Sequence, residues 1–239
     1  MDVLTNTWGT VANDWLARWR NVPDARLRLF CVPHAGGGTV AYRPWALRFA
    51  PEVDVVAVRP PGREHRHREQ ACSRLPDLVE NVVREVVPLL DRPYAWFGHS
   101  LGALIAFEAC RTIQALGRPG PVRLIVSGRP APDLASRLPP VHAAPTPVLL
   151  DRLRQMGGTP PEILDDHGVM STLLPTIRAD LAAAETYQYR SGRPLDTPIT
   201  VFGGRQDPFT TADELAAWGR HTTAGFQVET FGGGHFYLH

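Results

Sequence analysis

An α/β fold, with a mostly parallel sheet and helices on both faces, is predicted by three features of this 239-residue chain. Short β-branched runs alternate with helical patterns, the signature of parallel strands joined by crossover helices. Hydrophobic residues make up 44% of the chain and charged ones 21%, which is enough apolar surface to bury a sizeable core. A serine between two glycines, in Gly98-His99-Ser100-Leu101-Gly102, stands where one apolar run ends and another begins.

Taken in order, residues 27–32, 53–58, 94–98, 122–127, 199–203 and 226–231 read as strands. Helical patterns lie near 45–49, 75–90, 101–116 and 212–220. In sheets of this kind the ligand crevice lies beyond the carboxyl ends of the strands, so chemistry is sought there.

The alternation breaks between about residues 131 and 190. This stretch opens with the proline-rich Leu138-Pro139-Pro140 and Ala144-Pro145-Thr146-Pro147, then turns helical. Thr146 is expected to cap a helix with Pro147 at its first position. Leu149, Leu150 and Leu153 give that helix an apolar face, which stops at Gly157-Gly158. Further helices are expected over 161–166 and 169–187. With no strand in sight, the stretch reads as a helical lid inserted over the crevice of a single domain spanning 1–239.

Trp8, Trp15, Leu16 and Trp19 form a short amphipathic stripe, read as a packing helix. Arg63-Glu64-His65-Arg66-His67-Arg68-Glu69 mixes charges without helical or strand spacing and reads as a solvated loop, not a metal site. Asp165-Asp166-His167 reads as a helix end. A net charge of +1 argues against a nucleic-acid surface. No run approaches the 18 or more apolar residues of a membrane span. Cys31, Cys72 and Cys110 suit neither a disulfide framework nor zinc, so a reducing cytoplasm is expected.

The glycine-flanked serine is the strand-to-helix turn of a nucleophile elbow. Such a turn lifts Ser100 Oγ clear of the sheet and points the Leu101 N–H at the atom under attack. A serine hydroxyl is a poor nucleophile until an imidazole takes its proton. His235, in Gly232-Gly233-Gly234-His235 after the last strand, is best placed for this, since glycines let that loop reach back across the strand ends. His99 is expected to point away from Ser100, His34 to be structural, and His142 and His221 to lie on the surface. Activity is expected to fall as His235 protonates.

The imidazole needs an acid at a strand end, between the serine and the histidine in chain order. The strand ending at Ser127-Gly128 offers none, and Asp133 comes late. Asp207, in Arg205-Gln206-Asp207-Pro208 after the next strand, is therefore assigned. A second oxyanion donor is expected from the loop after the first strong strand, His34-Ala35-Gly36-Gly37-Gly38, and is assigned to the Ala35 N–H.

The set Pro33-His34-Ala35-Gly36-Gly37, Arg59-Pro60-Pro61-Gly62-Arg63-Glu64, Gly98-His99-Ser100-Leu101-Gly102, Met156-Gly157-Gly158-Thr159-Pro160, Arg178-Ala179-Asp180, Tyr187 and Gly232-Gly233-Gly234-His235 closely resembles the type II thioesterases. These are stand-alone α/β-hydrolases that accompany polyketide synthases and nonribosomal peptide synthetases. The resemblance runs from about Leu27 onward, lid included. It implies Ser100, Asp207 and His235 as the triad, Ala35 and Leu101 as oxyanion donors, and no cofactor or metal. It further implies a substrate acyl group on the phosphopantetheine arm of an acyl or peptidyl carrier protein, and an editing role for a cytoplasmic monomer. A small-molecule carboxylesterase would use the same triad, and a catalytically dead binding module would share the scaffold. A chain-releasing, cyclising thioesterase often carries its acid after the earlier strand, where Ser127 stands here.

Two departures stand out. The family often has methionine after the nucleophile, where this chain has Leu101; because the donor is a backbone N–H, pocket shape is affected more than rate. The family also usually carries a helix beyond its catalytic histidine, and this chain stops at His239. Without that helix, exposed apolar surface and a looser histidine loop are expected.

Overall fold

The computed structural model describes residues 14–238. Its sheet is built from β1 (Leu16–Ala17), β2 (Leu27–Val32), β3 (Val53–Val58), β4 (Tyr94–His99), β5 (Arg123–Ser127), β6 (Ile199–Gly204) and β7 (Phe226–Phe231). The strand order is β1-β3-β2-β4-β5-β6-β7. All neighbours are parallel except β1, which runs antiparallel to β3.

Strand periodicity divides the core between the two faces. In β2, Phe30 and Val32 join one apolar cluster with Val82 and Leu104, whereas Leu29 and Cys31 join another with Tyr42 and Ala46. The first cluster packs under α2 (Leu75–Val86) and α3 (Leu101–Ala115), the second under α1 (Arg43–Phe49). Each fully buried Leu, Val or Phe contributes about 1.5–3 kcal/mol to folding. At the far edge β7 is exposed along its length, with Phe226, Val228 and Phe231 partly in solvent.

Between β5 and β6 come α4 (Thr146–Met156), α5 (Pro161–Leu164) and α6 (His167–Glu185), with a core of their own around Leu149, Leu153, Met170 and Ile177. The short α7 (Ala212–Ala216) follows β6 and opens with a capping box between Thr211 and Glu214.

Several local expectations need correction. Trp8 lies outside the described residues, and the remainder of the tryptophan stripe is not a helix. Leu16 and Ala17 pair with Val58 and Ala57, while Arg59 N–H donates to Trp15 O, so the backbone there is drawn into the sheet. Pro145, not Thr146, occupies the N-cap of α4, because the Thr146 hydroxyl accepts a hydrogen bond from Arg178 instead. The loop at 63–69 is not simply solvated. Arg63 and Arg66 are buried, and the Arg66 guanidinium sits 4.8 Å above the Trp15 ring while binding Glu69. His221 is buried too, against Phe107 and Trp218, and its Nε2 lies 2.9 Å from Asp133. His142 is half-buried against Glu185. Asp166 does mark a helix end, since its carboxylate caps α6 at Val169 N–H.

Candidate active site

The elbow is dictated by contacts that only glycine permits. A Cβ on Gly98 would stand 2.1 Å from Gly102 O, and one on Gly102 would stand 2.1 Å from Val32 O. Strand β4 and helix α3 therefore approach so closely that the residue between them is forced into an unusual conformation. Ser100 has φ 55° and ψ −112°, a region that costs a non-glycine residue of order 1–3 kcal/mol. Its N–H donates to Ser127 O at 2.8 Å, which fixes the turn to the end of β5. Leu101 is the first residue of α3, where a backbone N–H has no intrahelical acceptor and the helix dipole favours negative charge.

Two residues predicted from separate strand ends meet here. His235 Nδ1 lies 2.8 Å from Asp207 Oδ2, and both side chains are buried. Asp207 is held in turn by Phe209 N–H on Oδ1 and by the Thr210 hydroxyl on Oδ2. This bond ties one imidazole nitrogen to the carboxylate and leaves the other for a neighbouring group. The His235 ring centroid is 5.0 Å from that of His99, the residue before Ser100. Gly128 closes the same spot, since a Cβ there would meet both His99 and His235.

His99 turns to the sheet, its Nδ1 being 2.9 Å from Ser127 Oγ. Ser127 Oγ is also 2.5 Å from Tyr237 OH. Burial pushes the Tyr237 phenol well above its usual range, so it stays protonated and able to donate. Tyr237 stacks on Phe231 as well, which fastens the histidine loop to β5 and β7. Sequence reasoning missed this brace, together with Thr210, because hydroxyl partners so far apart in the chain leave no spacing signal.

The loop after β2 passes beside the elbow, and its Ala35 is partly buried. Gly37 N–H donates to His34 O, and Gly36 N–H donates to Asp180. Among the described residues no hydrogen bond engages the Ala35 N–H. A cavity of about 420 Å³ opens next to Ala35, between this loop and the β5–β6 helices. Leu153, Met156, Ile177, Leu181 and Phe236 give it an apolar wall. Phe236 follows His235 directly and packs against Gly158, where a Cβ would come within 2.2 Å of the ring. A larger groove of about 880 Å³ along α2 and α3 touches none of the candidate residues. Of the candidate residues, Ala35 lines the smaller cavity.

Among the described residues no group of three or more His, Cys, Asp or Glu side chains could hold a metal ion. Burial pushes the Cys31 and Cys110 thiols upward, which keeps them protonated and unreactive.

The thioesterase domain family model matches residues 27–239. The chain belongs to this family. Thioesterases of this kind are serine hydrolases with the α/β-hydrolase fold, and the parallel sheet described above is that fold. The gramicidin S biosynthesis protein GrsT of Aneurinibacillus migulanus is 40% identical over 233 residues, covering 98% of this thioesterase and 91% of GrsT. Among solved structures, the type II thioesterase BorB from the borrelidin biosynthetic cluster superposes with a TM-score of 0.88 at 39% identity, covering 96% of this chain and 93% of BorB. RedJ, a thioesterase of the prodiginine pathway in Streptomyces coelicolor, gives a TM-score of 0.85 at 37% identity over 91% of this chain and 81% of its own. Among the described residues of this thioesterase, no helix is long and apolar enough to cross a membrane.

Proposed function

We propose that this thioesterase hydrolyses acyl groups from the phosphopantetheine arm of acyl or peptidyl carrier proteins, clearing stalled or aberrant units during polyketide or nonribosomal peptide assembly. The observation that carries the chemistry is the buried Asp207–His235 hydrogen bond beside the strained Ser100 turn. The substrate class comes from the resemblance to the type II thioesterases. It is supported by similarity to ClbQ from the colibactin NRPS/PKS pathway and to YbtT, a type II thioesterase from the yersiniabactin NRPS/PKS pathway.

In the proposed reaction Ser100 Oγ attacks the thioester carbonyl carbon while His235 Nε2 takes the hydroxyl proton. Asp207 holds the imidazole in the required tautomer and stabilises the imidazolium. The negative oxygen of the tetrahedral intermediate is received by the N–H groups of Leu101 and Ala35. Collapse breaks the C–S bond, and the imidazolium proton goes to the departing pantetheine sulfur. His235 then deprotonates a water that attacks the acyl-Ser100 ester. The second collapse returns the proton to Ser100 and releases the carboxylic acid. No cofactor or metal enters any step.

Helices α4 to α6 would serve as the lid, with the apolar cavity against them receiving the acyl group. A cyclising thioesterase is less well supported, since Ser127 and not a carboxylate ends β5 and is engaged with His99 and Tyr237. A reactive fluorophosphonate tests the reading. It should label the parent protein at Ser100, and Ser100→Ala should lose both the label and acyl-pantetheine hydrolysis while remaining folded. Turnover by Ser100→Ala within tenfold of the parent would refute the nucleophile.

A further inference from the structure

Side chains from two other elements converge on the glycine loop that carries Ala35. Asp180 of α6 is 1% exposed, and its Oδ2 accepts from Gly36 N–H at 2.7 Å. Its Oδ1 accepts from Arg63 Nη2 at 2.9 Å. Arg63, also buried, donates through Nη1 to Gly37 O at 2.7 Å. Next to it, Glu64 accepts from Thr39 N–H at 2.6 Å and from the Thr39 hydroxyl. Among the described residues Glu64 and Ser100 are the non-glycine residues with positive φ, so the backbone is strained on both sides of the site.

We propose that Asp180 and Arg63 are positioning residues for the oxyanion donor. The carboxylate holds the Ala35–Gly36 peptide and the guanidinium holds the Gly37 carbonyl. The Ala35 N–H is thereby aimed before substrate arrives. This inference rests on Ala35 being an oxyanion donor, as argued under the proposed function.

Three physical points carry it. A loop of consecutive glycines has the greatest backbone freedom of any sequence, so it does not fix a donor unaided. An oxyanion donor works only when held within about 0.5 Å of its productive position. A buried ion pair is also a poor device for stability, because apolar residues of similar volume do as well or better. Here Asp180 accepts its other bond from Gly36 N–H, and Arg63 makes its shorter backbone bond to Gly37 O, both in one loop. A longer Arg63 Nη2 bond of 3.5 Å reaches Pro61 O. Gly36 is pressed onto the same helix, since a Cβ at its φ of 74° would lie 2.8 Å from the Ile177 side chain.

The test compares parent, Asp180→Ala and Asp180→Asn on a butyryl-pantetheine thioester. Inhibition is measured with the matching trifluoromethyl ketone, whose hemiketal with the serine places a negative oxygen at the same donors. A non-hydrolysable amide analogue reports ground-state binding. Asp180→Ala is expected to lower kcat by about 10- to 100-fold and to weaken the ketone by the same factor. KM and the amide affinity should stay within about twofold. Asp180→Asn keeps one acceptor and should fall between Asp180→Ala and the parent. If Asp180→Ala does not fold, the charge-free pair Arg63→Gln with Asp180→Asn is read in the same assays, and the expected losses are the same. A folded variant with parental kcat, or one that loses kcat while holding the ketone as tightly as the parent, would overturn the inference and leave the proposed function standing. A parent that neither hydrolyses the thioester nor labels at Ser100 would overturn both.

Discussion

His235 Nδ1 and Asp207 Oδ2 lie 2.8 Å apart in a buried setting, although they come from loops after different strands. Asp207 accepts three hydrogen bonds in all, from His235, Phe209 N–H and the Thr210 hydroxyl, so its carboxylate has little freedom to turn. That arrangement favours the imidazole tautomer with its proton on Nδ1, the one the proposed mechanism requires.

Asp207→Asn is therefore expected to fold normally and to lose about 10⁴-fold in kcat, because the amide favours the wrong tautomer. Steady-state kinetics on an acyl-pantetheine, with circular dichroism as the folding control, measures this. A loss of less than tenfold would remove Asp207 from the mechanism.

Gly102→Ala places a Cβ 2.1 Å from Val32 O, a backbone atom at the carboxyl end of the interior strand β2. Destabilisation of about 3 kcal/mol or more is expected in urea unfolding, at the upper end of overpacking effects. Gly225→Ala is the control, since the nearest atom there is Pro198 Cβ at 3.8 Å, and it should change stability little.

Tyr237→Phe removes the hydroxyl that meets Ser127 Oγ at 2.5 Å. A stability loss of about 0.5–1.5 kcal/mol is expected, with a few-fold fall in kcat as the histidine loop loosens. Combining it with Ser127→Ala in a double-mutant cycle checks the pairing, for the two effects should fall well short of additive. Full additivity would mean the two hydroxyls act separately.

Met156→Ala widens the apolar cavity beside Ala35. The ratio of kcat/KM for a longer over a shorter acyl-pantetheine is expected to rise by about tenfold, the scale set by one or two methylenes in a hydrophobic pocket. An unchanged ratio would mean that the acyl chain lies elsewhere.

The sheet was legible because β-branched runs and helical spacing are local signals, and the six longer strands fall within a residue of their expected limits. The elbow was legible for a related reason, since close backbone approach demands glycine at fixed offsets. Partnerships across the chain were not. Arg63 looked like a solvated charge because its acceptor, Asp180, lies 117 residues away. His221 looked like a surface residue because Asp133 and Phe107 come from other elements. Strand β1 is two residues long and exists only through its pairing with β3, so no periodicity announces it. Thr146 carries the right side chain for a cap, but a competing arginine engages it.

Ser100 chemistry is proposed here to be directed at carrier-bound thioesters. It is tested most directly by the deacylation rate of an acyl-phosphopantetheinyl carrier protein, measured beside the same acyl group on a small alcohol. Rapid release of free acid from the carrier, slower attack on the small ester, and no release from either with Ser100→Ala are expected. Equal or faster hydrolysis of the small ester, or carrier deacylation that persists in Ser100→Ala, would contradict it.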